Sequence, residues 1–138
     1  MQIREISLKE LDVAYNCVKE LRTKLTYEEF EDLVYAMRHQ EYKMFGIFER
    51  GELVTFAGMS ILVNLYHKRH LYLYDLVTSS SFRSKGYGKT MLEYLYDYAK
   101  IQNCENIVLS SAFTREDAHR FYEKENFHKK SYLFVKVL

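Results

Sequence analysis

Five residues that could do chemistry together fall in one stretch, Arg83-Ser84-Lys85-Gly86-Tyr87-Gly88-Lys89-Thr90. Its glycines let backbone approach a ligand, and Arg83, Lys85 and Lys89 put positive charge on the same rim, so the chemistry is anion binding. The ending Gly-Lys-Thr matches the last three letters of a nucleoside-triphosphate P-loop. That motif also needs a glycine at position 83, which is Arg83. A dinucleotide fingerprint needs a glycine at position 91, which is Met91. What remains is Arg83-x-x-Gly86-x-Gly88. A helix beginning near Gly86 would offer unpaired N–H groups and the positive end of its dipole, and Arg83 could fork onto a phosphate; the set suits a pyrophosphate. The plainer alternative is a solvated basic turn. The place of the loop, directly after a strand read as central, favours the anion site.

Two further residues stand out. By strand alternation, Leu71, Leu73, Asp75 and Val77 share one face, which puts an acid in an apolar row. Such an acid is either a satisfied structural group or opens onto a wet cleft as binder or base for a cationic acceptor, and both readings stand. In the segment 115–127, Tyr122 shares a helical stripe with Ala118 and Phe121, so spacing alone reads it as core. His119 points away from that stripe and reads as a surface histidine.

The elements that must position these residues follow from periodicity. Residues 2–6 alternate as a strand, and 8–22 and 26–39 carry helical apolar spacing, the second with Thr26 and Glu29 placed for a capping box. Residues 42–49 and 53–65 read as a hairpin around Arg50-Gly51. Residues 70–78 are apolar on both parities, as in a strand covered on both faces. A helix over 86–101, a strand over 106–113, a helix over 115–125 and a last strand over 131–138 complete the chain. The order predicts a mixed α/β domain, mainly antiparallel in its first half with one parallel βαβ-type unit over 70–110, and not the repeated alternation of a doubly wound nucleotide fold.

Composition narrows the function classes. The chain has 138 residues, 48% hydrophobic and 28% charged, which fits one domain with one core. A net charge of +1 argues against a nucleic-acid binder, although "HKRH" (67–70), "HKK" (128–130) and 13 tyrosines are its best support. No apolar run approaches the length of a membrane span, and the charged first residues lack a signal-peptide core. Cys17 and Cys104 show no metal or redox spacing and read as buried thiols in a reducing compartment. The expectation is a cytoplasmic protein with no metal, no membrane partner and no nucleic-acid partner.

The strand "LYLYDLVTSS", the loop "FRSKGYG", the following helix and "DAHRFYEKENF" resemble the GNAT superfamily of acyl-CoA-dependent N-acetyltransferases. The family's cofactor signature, Gln/Arg-x-x-Gly-x-Gly/Ala, is matched in full by Arg83 to Gly88. Its Ala-x-x-x-Tyr helix is matched by Ala118 and Tyr122. The resemblance implies a single domain over residues 1–138, with a central, mostly antiparallel sheet of six to seven strands splayed at a cofactor cleft and about four flanking helices. It implies acetyl-CoA as cosubstrate. The pyrophosphate would lie on the amides of Arg83, Ser84, Lys85, Gly86, Tyr87 and Gly88, with Lys89 or Thr90 nearby. The pantetheine arm would bond the backbone of Leu76, Val77 and Thr78 like an added strand. It also implies direct transfer of acetyl to a primary amine. Asp75 is the candidate for acceptor contact and base, an N–H near Val77 would stabilise the oxyanion, and Tyr122 would protonate the leaving thiolate.

This chain departs from the family pattern at three places: Arg115 replaces an asparagine before the helix, Asn126 replaces the glycine after it, and Tyr74 replaces an acid beside Asp75. Asparagine tolerates the left-handed conformation that the turn needs. The alternative function is a non-catalytic acyl-CoA-binding module. The acceptor stays open at this level. Glu28, Glu29, Glu31 and Asp32 could attract a polyamine, or form the solvated face of their helix; Tyr35, Tyr72 and Tyr74 could line an aromatic pocket, or be core. Monomer and homodimer are both compatible with the sequence.

Overall fold

Strand β1 (Gln2–Ile6) pairs antiparallel with β2 (Lys43–Glu49), β2 with β3 (Glu52–Asn64), and β3 with β4 (Lys68–Thr78); β5 (Asn106–Val108) then joins β4 in parallel. This five-stranded sheet belongs to a computed structural model that describes residues 1–138 in two compact units, Met1–Val108 and Leu109–Leu138. The β2–β3 turn is the tight one expected, with Arg50 and Gly51 both at positive φ (51° and 81°), as a two-residue hairpin that follows strand twist requires.

Helices α1 (Leu11–Val18) and α2 (Tyr27–Met37) pack on one face of the sheet. Leu11, Ala14, Val18, Phe30 and Val34 bury against Met44, Phe48 and Phe56. Helix α3 (Tyr87–Ile101) takes the other face with Met91, Leu92, Leu95 and Ala99. Phe45, the neighbour of Met44 and therefore of opposite parity, meets the rings of Tyr94 and Tyr98 at 5.5 and 5.3 Å. Thr26 caps α2 as expected: its Oγ1 accepts from the Glu29 amide at 3.1 Å, and Glu29 Oε1 accepts from the Thr26 amide at 3.0 Å.

The helical spacing over 8–22 resolves into a 3-10 turn at Leu8–Glu10, then α1, then looser turns in which the Lys19 and Arg22 amides donate to Tyr15 and Val18. Ser7 and Glu10 form a second capping box, and Arg4 Nη1 and Nη2 clamp the Glu10 carboxylate at 3.0 and 2.8 Å. Arg4 first, and the Ser7 amide second, hold the Glu10 carboxyl down at about 2. An unfolded glutamate titrates at about 4.3. The folded value is the lower one, so this contribution is present above the unfolded value and is lost as pH falls toward 2. Thermal melts from pH 7 to 2 should therefore show Glu10→Gln melting below the parent at neutral pH, with the gap narrowing as the medium acidifies.

In β4 the alternation assumed from sequence breaks. Leu73 pairs with Met59, but Gly58 pairs with Asp75, so Tyr74 is an extra residue, a β-bulge. One inserted residue exchanges the faces of everything after it. Leu71 and Leu73 therefore lie on the α3 side, whereas Asp75 and Val77, opposite Gly58 and Phe56, lie on the α1–α2 side. The single shared face read from sequence is corrected on this point.

In the second unit, α4 (Glu116–Lys124) ends in a Schellman turn: the Asn126 amide donates to Glu123 O at 3.1 Å and the Phe127 amide to Tyr122 O at 3.0 Å. Asn126 has φ 69°, the left-handed state expected of the residue in the glycine position. Arg115 precedes α4 without a side-chain cap. The expected strand over 106–113 is limited to Asn106–Val108, and 131–138 is irregular and exposed, so the sheet has five strands rather than six to seven. Apolar, β-branched sequence favours a pleated surface, but a strand exists only where a neighbouring chain completes its ladder.

Candidate active site

The loop after β4 is built by backbone geometry and one acid. Gly86 is the N-cap of α3 at φ 85° and ψ 7°, a left-handed conformation that strains residues with a side chain. A Cβ there would meet nothing within 4 Å, so the space above it is open to a ligand. No side chain caps α3. The Thr90 amide is the first to find a carbonyl within the helix, that of Gly86, at 3.0 Å, and the Thr90 hydroxyl donates to the same oxygen. The amides of Gly86, Tyr87, Gly88 and Lys89 therefore have no carbonyl one turn back to donate to, and they meet the positive end of the helix dipole.

Glu20, in the turns after α1, ties this loop down. Its carboxylate accepts from the Ser80 amide at 2.9 Å, the Ser79 hydroxyl at 3.2 Å and Arg83 Nη2 at 3.3 Å. Arg83 Nε donates to Thr78 O at 3.0 Å. Arg83 thus braces the junction of strand and loop with two of its donors. Lys85 Nζ lies 5.5 Å from the Phe82 ring centre, Lys89 is exposed, and the Tyr87 hydroxyl donates to Glu49 Oε2 at 3.1 Å. Nothing in the residue pattern marked Glu20, an acid in a helical stretch 63 residues from Arg83.

Upstream of the loop, β4 has one open edge. Its parallel pairing to β5 ends at Tyr72 and Val108, so residues 73–78 are laddered on the β3 side alone. Leu76, Val77 and Thr78 lie in this stretch, with Cys17 Sγ donating to Val77 O at 3.6 Å and the Thr78 hydroxyl 2.9 Å from that of Thr55. Burial first, and Glu20 second, push the Cys17 thiol up to about 12, so it is an inert buried group at neutral pH.

Asp75 borders a cavity of about 440 Å³ between α1, α2 and the sheet, walled by Val18, Phe30, Val34, Met37, Tyr42 and Phe56. Arg22, Thr23 and Lys24 form its rim. Arg22 Nε donates to Asp75 Oδ1 at 2.6 Å and its Nη2 to Tyr74 O at 3.3 Å. The bulge at Tyr74 is what aims Asp75 into this space. A larger cavity of about 720 Å³ beside β1 contains no residue of β4 or of the loop. Glu28, Glu29, Glu31 and Asp32 do not line the Asp75 cavity. The Tyr72 and Tyr74 rings meet in a tilted pair at 4.9 Å, and Tyr74 meets Tyr42 at 5.7 Å; Tyr35 is exposed beside Arg38. Sequence reasoning missed Tyr42. Its one available signal was a bulky ring at the start of a strand that runs beside Gly58. Burial, then Asp75, raise the Tyr42 phenol well above its usual range, so it stays protonated.

In the second unit, Tyr122 is half-buried on α4, its ring against Phe121 at 5.3 Å and Phe127 at 5.6 Å. His119, half-buried rather than fully surface, lies with Nε2 2.8 Å from Ala112 O.

The sequence model of the acetyltransferase (GNAT) family matches residues 6–127. The chain belongs to this family. It is 37% identical over 132 residues to the uncharacterized N-acetyltransferase YhdJ of Bacillus subtilis, covering 94% of this chain and 93% of that protein. It is 25% identical over 142 residues to the aminoalkylphosphonate N-acetyltransferase of Salmonella typhimurium, covering 99% and 91%. The fold matches that of an aminoglycoside N-acetyltransferase solved in complex with CoA, with a TM-score of 0.87 at 13% identity, covering 99% and 93%. As a GNAT protein the chain is an acetyltransferase by family, with a five-stranded mixed sheet and four helices. No helix is long and apolar enough to cross a membrane.

Proposed function

We propose that residues 1–138 act as one N-acetyltransferase domain, transferring the acetyl group of acetyl-CoA to a primary amine by direct attack in a ternary complex. The observation that carries this reading is the order of three features along the first unit. The uncapped N-terminus of α3 at Gly86 adjoins the open edge of β4, and that edge leads to Asp75 and its cavity. In this reading the amides of residues 83–88, with Lys89 and Thr90, hold the pyrophosphate, since an anion there meets unpaired donors and the helix dipole. The backbone of Leu76, Val77 and Thr78 holds the pantetheine arm as an added strand.

The chemistry needs a neutral amine, a stabilised oxyanion and a protonated leaving thiol. Asp75 is assigned to the acceptor amine, an N–H near Val77 to the oxyanion, and Tyr122 to the departing sulfur. A neutral phenol can donate a proton to a departing thiolate. The N-acetyltransferase relatives named above support amine acetylation.

Thermal melts with acetyl-CoA, with ATP in parallel, test the cosubstrate. At about 100 times its dissociation constant a ligand adds roughly 2.7 kcal/mol, several degrees for a chain of this length. The expected result is a shift with acetyl-CoA alone, together with release of free CoA thiol when an amine is added. Stabilisation without release under an amine screen would support a non-catalytic acyl-CoA-binding module. A shift with ATP alone would overturn the assignment of the loop.

A further inference from the structure

The cavity beside Asp75 has a charge pattern that selects among amines. Its one acid is Asp75, and its rim carries two cations, Arg22 and Lys24. A polyamine or other polycation entering here would meet two positive charges and one negative. A simple alkylamine would have to take Asp75 away from Arg22 and leave the guanidinium unpaired. A molecule with an ammonium and an anionic group a few bonds apart does neither. Its ammonium pairs with Asp75, its anion pairs with Arg22, and two ion pairs replace one.

Arg22 is equipped for that exchange. Its side chain is 54% exposed, and Nε and Nη2 carry its contacts to Asp75 and Tyr74 O, while Nη1 holds two more of the guanidinium's five N–H donors. Lys24 adds a second positive charge two residues on. Apart from Tyr42, the wall is apolar, with Val18, Phe30, Val34, Met37 and Phe56. A volume of about 440 Å³ lies in the usual range of about 300–1,000 Å³ for small-molecule sites.

We propose that the acceptor is an α-amino-acid-type zwitterion with an apolar side chain, its anionic group read by Arg22 and Lys24, its amine by Asp75 and its side chain by the apolar wall. This rests on the acetyl-transfer reading for the reaction, although not for the binding. Two readouts separate the two. The first is calorimetric binding of L-phenylalanine, phenethylamine and spermidine to the protein in the presence of CoA. The second is CoA-thiol release from acetyl-CoA with the same three compounds.

The expected result is that phenylalanine binds and reacts at least about tenfold better than phenethylamine, with spermidine weakest. Arg22→Gln should bring the preference for phenylalanine over phenethylamine down to about one, and Arg22→Lys should restore part of it. Phenylalanine binding without thiol release would support the ligand class and overturn acetyl transfer to it. Release with phenethylamine or spermidine equal to or better than phenylalanine would overturn the ligand class and leave acetyl transfer standing. Absence of binding by phenylalanine, or a preference untouched by Arg22→Gln, would also overturn the ligand class.

Discussion

Turnover of the Tyr122→Phe variant should fall by about a hundredfold or more, with acetyl-CoA affinity unchanged. The substitution removes one hydroxyl and keeps the ring that packs against Phe121 and Phe127, so α4 and its Schellman turn should persist. A missing general acid acts on the step in which the thiolate leaves, and general acid–base groups contribute typically 10²–10⁴-fold. The loss should therefore appear in kcat and kcat/KM together, with acetyl-CoA binding as in the parent. The measurement is single-turnover CoA release alongside calorimetric titration of acetyl-CoA. Parent-like single-turnover rates would remove Tyr122 from the mechanism. Weakened acetyl-CoA binding would assign its hydroxyl to cosubstrate binding instead.

Gly58→Ala is expected to have the largest effect in the first unit. A Cβ on Gly58 would overlap the Tyr42 hydroxyl oxygen and stand 2.8 Å from Tyr42 Cζ. The Tyr42 ring is confined by Tyr74 and by the wall of the Asp75 cavity, so it cannot turn aside freely. Overpacking of this kind costs about 1–3 kcal/mol, and the melting temperature should fall by several degrees. Displacement of Tyr42 would also reshape the cavity and raise the KM of the acceptor more than that of acetyl-CoA. A double-mutant cycle with Tyr42→Phe, which removes the overlapping oxygen, makes the cause testable. Gly58→Ala should cost less in the Tyr42→Phe background. Strict additivity of the two costs would show that the overlap is not the source.

Several features of this protein were legible in its residues because they depend on local geometry. A Gly-x-Gly stretch between a strand and a helical stripe indicated a helix beginning near Gly86, and Gly86 at φ 85° is its N-cap. Thr26 with Glu29 indicated a capped helix start, and Asn126 a left-handed helix end. Each of these rests on contacts within about one helical turn, so a short window of sequence contains all of its partners. The same loop and the Ala118–Tyr122 pattern were enough to point to the family.

What only the tertiary structure decided depends on relations between distant segments. Alternation along β4 placed Asp75 with Leu71 and Leu73. The bulge at Tyr74 moved it to the other face, because a bulge is a mismatch of residue number between two strands and leaves no mark in either one alone. Arg22 reaches Asp75 across 53 residues, and Glu20 reaches Arg83 across 63, through turns after α1 whose course is set by packing. Residues 131–138 have the composition of a strand and form none, since strand formation needs a neighbour as well as a propensity. Sequence alone thus determined the helix ends and the family. The face that Asp75 presents, its partner and the walls of its cavity were decided by long-range register and packing, which no local pattern encodes.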